Sequence, residues 1–141
     1  MAYLRRVHYH ETDAMGIVHH ANYVKWMEEA RVDWLDTQGL PYCRMEELGF
    51  SSPVVEVACR YVSPTRFDDR VEIQVELQTY TGAQATFAYT MKNQTTGQVC
   101  CTATSRHCFV NTQGRVVSLK RHCPQAHSVL LAALPPKEET Q

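Results

Sequence analysis

Asp13 lies in the run Glu11-Thr12-Asp13-Ala14-Met15-Gly16, a polar, glycine-containing segment just ahead of a helical pattern. A carboxylate at the mouth of a helix faces unpaired backbone N–H groups and the positive end of the helix dipole. Such an end can hold a developing oxyanion. A carboxylate beside an oxyanion site is the equipment for hydrolysing an acyl compound, with Asp13 as nucleophile or as the base that activates water. The bland alternative is that Asp13 only caps the helix. The local chemistry leaves both readings open. Glu11, on the same loop, is expected to be a bystander whose change to Gln costs little.

The elements around this loop follow from periodicity. Tyr3 to His10 is short and β-compatible. From Asn22 onward, Tyr23, Trp26, Met27, Ala30 and Trp34 fall at the spacing of one helix face, with Lys25, Glu28, Glu29, Asp33 and Asp36 mostly elsewhere on the wheel. Asn22 is the expected N-cap, and Gly39 and Pro41 the stop. A shorter helix is expected from Pro41 to Leu48. The period then becomes two: Val55 to Tyr61, Val71 to Gln78, Ala85 to Met91 and Gln98 to Val110 read as strands separated by turn signals. Pro124 to Leu134 reads as a terminal helix and Pro135 to Gln141 as a frayed polar tail. Strands and helices in blocks point to an α+β fold in which the sheet curls around one long, aromatic-rich helix. A small two-layer protein has sheet edges to protect, so a second copy is expected to cover one.

With 141 residues the chain is expected to form one domain, 1–141. Fourteen basic and fifteen acidic residues give a net charge of -1, which argues against a broad nucleic-acid or anionic-membrane surface. No apolar run is long enough to span a bilayer, and the charged opening residues have no apolar stretch behind them, so neither a transmembrane segment nor a secretory leader is expected. The six cysteines form no C-x-x-C pair, and the histidines offer no metal-ligand spacing. Reduced thiols acting as small hydrophobes, a cytoplasmic setting and no metal are the expectations.

The segment Tyr9 to Tyr23 resembles hotdog-fold acyl-CoA thioesterases of the 4-hydroxybenzoyl-CoA thioesterase-like family, above all the branch encoded beside the Tol–Pal envelope genes. Tyr9, Asp13, Gly16, Ile17-Val18, His20 and Tyr23 stand at the spacing of that family's pattern, followed by Trp26 and Glu29-Ala30-Arg31. Val55 to Tyr61, Ser63-Pro64-Thr65-Arg66-Phe67-Asp68-Asp69 and Val71 to Val75 extend the likeness, which covers residues 3 to about 115. The resemblance implies an antiparallel sheet of about five strands around one central helix, and hydrolysis of an acyl-CoA thioester to a free acid and coenzyme A. It implies that Asp13 is the catalytic carboxylate and that the His20 N–H polarises the thioester carbonyl. In the Tol–Pal branch the His20 side chain and Tyr9 are also assigned to the site. Gly16, Val18 and Asn22 are expected to contact substrate, and Arg66 a phosphate of coenzyme A. Met15, where many relatives have a smaller residue, can narrow the acyl pocket; His10-Glu11 replaces a commoner acidic pair. No cofactor is expected, and the assembly is expected to be a homodimer or homotetramer. Two other readings are kept: hydrolysis of an acyl carrier protein thioester, and a non-catalytic acyl-CoA-binding or scaffold protein of the same fold.

Overall fold

Alternating apolar side chains build five strands into one antiparallel sheet. These are β1 (Tyr3–Arg6), β3 (Val54–Tyr61), β4 (Arg70–Tyr80), β5 (Gln84–Asn93) and β6 (Gln98–Cys108), in spatial order β1-β4-β5-β6-β3. The computed structural model describes residues 2–136. Two-residue strands β2 (Phe50–Ser51) and β7 (Val110–Asn111), which the sequence pattern did not suggest, pair separately. Helices α1 (Ala21–Thr37) and α2 (Tyr42–Glu47) match expectation closely, as does α4 (Pro124–Ala133); the one-turn α3 (Leu119–His122) was not anticipated. The tail expected over Pro135 to Gln141 lies outside the described residues from 137 on.

The long helix is the centre of the core because its apolar stripe faces the sheet. Tyr23, Trp26, Met27, Ala30 and Leu35 are buried, and Trp34 is half-buried with its ring edge-on to Phe87, centroids 5.4 Å apart. Each large apolar side chain buried this way contributes roughly 1.5–3 kcal/mol. The helix ends where Gly39 takes φ of 81°, so that Leu40 N–H reaches Leu35 O at 2.9 Å and Gly39 N–H reaches Asp36 O at 3.1 Å. Its start departs from expectation. His20, not Asn22, occupies the cap position, and the Asn22 amide instead donates to Glu11 O at 2.9 Å.

Three further departures have physical causes. β1 stops at Arg6 instead of continuing to His10, because Tyr9–Glu11 form a 3-10 turn closed by His8 N–H donating to the Glu11 carboxylate at 2.8 Å. β3 alternates in sequence as a half-buried strand does, yet it is a sheet edge: Val55 is 49% and Val57 38% exposed. Neighbouring residues of a regular strand face opposite sides, yet Cys100 and Cys101 are both buried, because the pairing of β5 with β6 slips between Met91 and Lys92 and leaves an extra residue in β6. All six cysteines are free thiols.

One polar chain runs through the core. Arg31 donates to the Tyr89 hydroxyl at 3.2 Å, Tyr89 lies 2.7 Å from Ser105 Oγ, and Ser105 lies 2.8 Å from His107 Nε2. His107 Nδ1 is 3.0 Å from Ser52 O. A guanidinium only donates and a carbonyl only accepts, so every proton between them is fixed. Tyr89 donates to Ser105, Ser105 donates to His107 Nε2, and His107 donates from Nδ1. Burial pushes the His107 pKa down to about 4, with the Arg31 charge adding to the fall and the bond to Ser52 opposing it. The ring is therefore neutral, as the chain requires.

Candidate active site

The loop from Glu11 to His19 is clamped at its base. Glu11 is 2% exposed and its carboxylate receives four N–H bonds: two from the Arg5 guanidinium at 2.9 Å each, one from Trp26 Nε1 at 2.7 Å and one from His8 N at 2.8 Å. Arg5 also donates to Glu29 at 2.9 Å and lies 5.8 Å from the centroid of the Trp26 ring. Burial works to raise the Glu11 pKa, but the His8 N–H, the Trp26 indole and Arg5 together hold it below the ordinary carboxylate value. The Glu11 backbone carbonyl accepts from His19 N at 2.9 Å as well as from Asn22, which closes the loop. Glu11 is thus no bystander. It joins β1, the 3-10 turn and α1, and the sequence carried no signal for it because its partners come from three elements.

Above this clamp the chain makes a tight turn. Asp13 N–H donates to Ile17 O at 2.9 Å and Gly16 N–H to Asp13 O at 3.0 Å, a closure that Gly16 permits by taking φ of 78°. One Asp13 oxygen, Oδ1, accepts from Met15 N at 2.8 Å. The far side of the turn is tied to the segment after β3: Val18 N–H donates to Thr65 O at 2.9 Å, and Tyr23 OH meets Thr65 Oγ1 at 2.7 Å. Burial raises the Tyr23 pKa to about 12, so this phenol stays protonated at neutral pH.

A cleft of about 430 Å³ opens between this turn, the start of α1 and the end of β3. Asp13 and His20 line it, with Ile17, Val18, Tyr23 and Tyr61 as its largely apolar walls. Tyr61 OH donates to His20 O at 3.1 Å, and the His20 ring is stacked on His19 with centroids 4.3 Å apart. Among the described residues the His20 backbone N–H has no acceptor, and His20 is a residue of the cleft wall. A carboxylate and an unused helix-start N–H in one apolar-walled cleft can bind a polarised carbonyl and assist attack on it.

Of the residues singled out in the sequence, Asp13, Val18 and His20 come together in the cleft. Gly16 shapes the turn, and Asn22 is committed to Glu11 O. Tyr9 is 77% exposed and meets Phe67 edge-on, outside the cleft walls. Arg66 is exposed, and its backbone bridges Ile17. Tyr61 is a cleft residue that the sequence reading had placed only in a strand. Among the described residues no group of three or more His, Cys, Asp or Glu side chains could hold a metal ion, and no helix is long and apolar enough to cross a membrane.

The fold and sequence have counterparts among known proteins. A crystal structure of a hypothetical protein from Aquifex aeolicus superposes with a TM-score of 0.84 at 34% identity, covering 92% of this chain and 98% of that one. The DHNA-CoA thioesterase of Staphylococcus aureus superposes with a TM-score of 0.88 at 25% identity, covering 93% and 88%. The acyl-CoA thioester hydrolase YbgC of Escherichia coli O6:H1 is 33% identical over 88 residues, which is 62% of this chain and 66% of that protein. The fold is the hotdog fold expected from the sequence, and the model of the thioesterase-like superfamily matches residues 7–139. From the Asp13 turn through the helix to the last strands, the chain belongs to the thioesterase-like superfamily.

Proposed function

We propose that this protein hydrolyses acyl-CoA thioesters at the Asp13 cleft. The observation that carries the reading is the meeting of the Asp13 carboxylate and the unused His20 N–H in one apolar-walled cleft. The thioester carbonyl oxygen accepts from His20 N–H at the start of α1, where the helix dipole favours negative charge. Asp13 either attacks the carbonyl carbon or takes a proton from the water that does so. When water attacks, the C–S bond breaks, the proton taken up by Asp13 passes to the sulfur, and coenzyme A leaves as the thiol with the free acid. When Asp13 attacks, the C–S bond breaks to leave an Asp13–acyl anhydride. A water then hydrolyses it to the acid and the free carboxylate while supplying the thiol proton. The reaction needs no metal or cofactor. Similarity to the thioester hydrolases above supports the chemistry in general.

Tyr9 and His20 occupy the positions that suggested the Tol–Pal-associated branch, but the reaction proposed here gives Tyr9 no step. The β3 edge, with its exposed valines, pairs with a second copy in this reading, and the partner closes the open side of the cleft. Free thiols fit a reducing, cytoplasmic setting.

The test is a panel of short, long and aromatic acyl-CoAs with a thiol reagent that reports released coenzyme A. Thiol release from at least one member is expected. Asp13→Asn should lower kcat by about 10²- to 10⁴-fold with little change in KM or in Tm, since Asn keeps the acceptor for Met15 N–H. Binding of coenzyme A without any turnover would instead favour a silent acyl-CoA-binding module. Turnover of acyl carrier protein thioesters alone would move the docking partner but not the chemistry. A single turnover in isotopically labelled water tests for direct attack, because label in the Asp13 carboxylate requires an Asp13–acyl anhydride opened by water at the Asp13 carbonyl.

A further inference from the structure

A second hollow, of about 140 Å³, opens between α1 and β3, the two elements that also supply His20, Tyr23 and Tyr61 to the Asp13 cleft. Val24, Met27 and Val57 wall it, and Lys25, Glu28 and Arg31 bring charge to it. His20 and Tyr23 of the cleft and Met27 and Arg31 of the hollow stand at the spacing of one helix face. Tyr61 and Val57 are likewise on one side of β3. Met27 lines the hollow and follows Tyr23 of the cleft by one turn of α1, with its sulfur 3.6 Å from Cys59 Sγ. An unbranched thioether in that place can change rotamer without stranding a strong hydrogen bond.

Arg31 is the unusual group. Arg5, Arg6, Arg44 and Arg106 each pair with a carboxylate, and the other arginines without a carboxylate partner among the described residues, Arg60, Arg66, Arg70, Arg115 and Arg121, are exposed to water. Arg31 is half-buried, and among the described residues its side chain meets only the neutral Tyr89 hydroxyl, with no carboxylate in salt-bridge contact. That single bond is oriented from behind. The Tyr89 proton is committed to Ser105, so a lone pair is aimed at Arg31 and holds the guanidinium in place. The remaining N–H groups of a half-buried guanidinium call for an anion, and the planar fork suits a carboxylate.

We propose that this hollow receives the far end of the acyl group and that Arg31 selects acyl groups ending in a carboxylate. The proposal rests on the thioesterase reading above. Its scale is set by the helix: eleven residues from His20 to Arg31 rise about 16 Å, and the arginine side chain leans back toward the helix start. An extended chain advances about 1.2 Å per bond, so fewer than roughly a dozen bonds connect the two positions. A medium-length acyl group with a terminal carboxylate fits this span.

The experiment compares kcat/KM for suberoyl-CoA and octanoyl-CoA, which have equal chain length and differ in the terminal carboxylate. The readout is their ratio. Arg31→Gln is expected to lower the suberoyl-to-octanoyl ratio by about ten- to a hundredfold, the value of a lost charge-assisted bond. Arg31→Lys should lower it less, and Tyr89→Phe should lower it while leaving the charge in place. An unchanged ratio in Arg31→Gln overturns the proposal. So does an unchanged ratio together with loss of assembly in light scattering, which would assign Arg31 to a contact between copies. If Arg31→Gln does not fold, the ratios in Arg31→Lys and Tyr89→Phe decide by the same criterion. Hydrolysis of octanoyl-CoA with a ratio indifferent to these changes overturns this proposal alone. No turnover of any thioester overturns the thioesterase reading, and this proposal with it.

Discussion

Replacing Glu11 with Gln is a sharp test of how the active-site loop is held. Four N–H donors converge on the two carboxylate oxygens, two at each. An amide has only one oxygen, so its NH2 group must face either His8 N–H and one Arg5 nitrogen or Trp26 Nε1–H and the other. Two donors are left confronting a donor, and Arg5 keeps Glu29 as its remaining charge partner. Removing one member of a buried ion pair costs about 3–5 kcal/mol; the Glu29 contact puts this case at the low end, about 3 kcal/mol. At roughly 3–4 °C per kcal/mol for a chain of this size, Tm should fall by about 10 °C. The pH dependence follows from the depressed Glu11 pKa. A carboxyl group held below its unfolded value contributes stability above that value and loses it as pH falls through the folded one. The gap between wild type and Glu11→Gln should therefore be full at neutral pH and narrow below the ordinary value of 4.5. Thermal unfolding followed by circular dichroism at neutral pH and at about pH 3 measures both. Equal Tm values at neutral pH, or a gap that does not change with acid, would refute the clamp.

Other outcomes are expected. His107 has its pKa lowered to about 4 from 6.5, so its contribution is complete above 6.5 and is lost as pH falls towards 4, about 3 kcal/mol in all; His107→Gln should flatten the acid limb of a Tm-against-pH curve, and an unchanged limb would count against it. Val55→Lys places a charge on the exposed β3 edge, and light scattering should report a smaller assembly with reduced thioesterase activity; an unaltered, active assembly would locate the interface elsewhere. Dialysis against a chelator should leave turnover intact. Activity lost on chelation and restored by added zinc or magnesium would contradict the metal-free chemistry.

How legible all this was in the sequence differs residue by residue. The long helix and the inner strands were readable because burial on one face writes a period into the chain, as in Tyr23, Trp26, Met27 and Ala30 or in Val71, Ile73 and Leu77. β3 shows the limit of that signal. Val55, Val57, Cys59 and Tyr61 alternate like an inner strand, yet a strand's place at the edge depends on which neighbours it pairs with, and period two carries no such information. Asp13 and His20 were found because their spacing is fixed within one short segment. Glu11 was misjudged because Arg5, Trp26 and Glu29 reach it only after the strand and the helix have docked. Asn22 was expected at the cap by its residue type, but the helix begins two residues earlier, after His20, and the Asn22 side-chain NH2 donates to the Glu11 carbonyl. The exposed ring of Tyr9 likewise follows from the 3-10 turn, which no alternation in Tyr3 to His10 foretold.

The hydrogen-bond chain from Arg31 to Ser52 O also constrains how this sequence can diverge. Because donors and acceptors are fixed at both ends, no interior member can be lost alone. Phe at position 89 would strand the Ser105 lone pair and free Arg31; Ala at 105 would leave the Tyr89 proton and His107 Nε2 facing each other unsatisfied. Each single step leaves a buried polar group unpaired, at about 1–3 kcal/mol, while a joint replacement by apolar groups of similar shape can be nearly neutral. Positions 31, 89, 105 and 107 should therefore drift together or not at all. Descendant lineages should show either the whole chain or a wholly apolar substitute, and a mixed set should be rare.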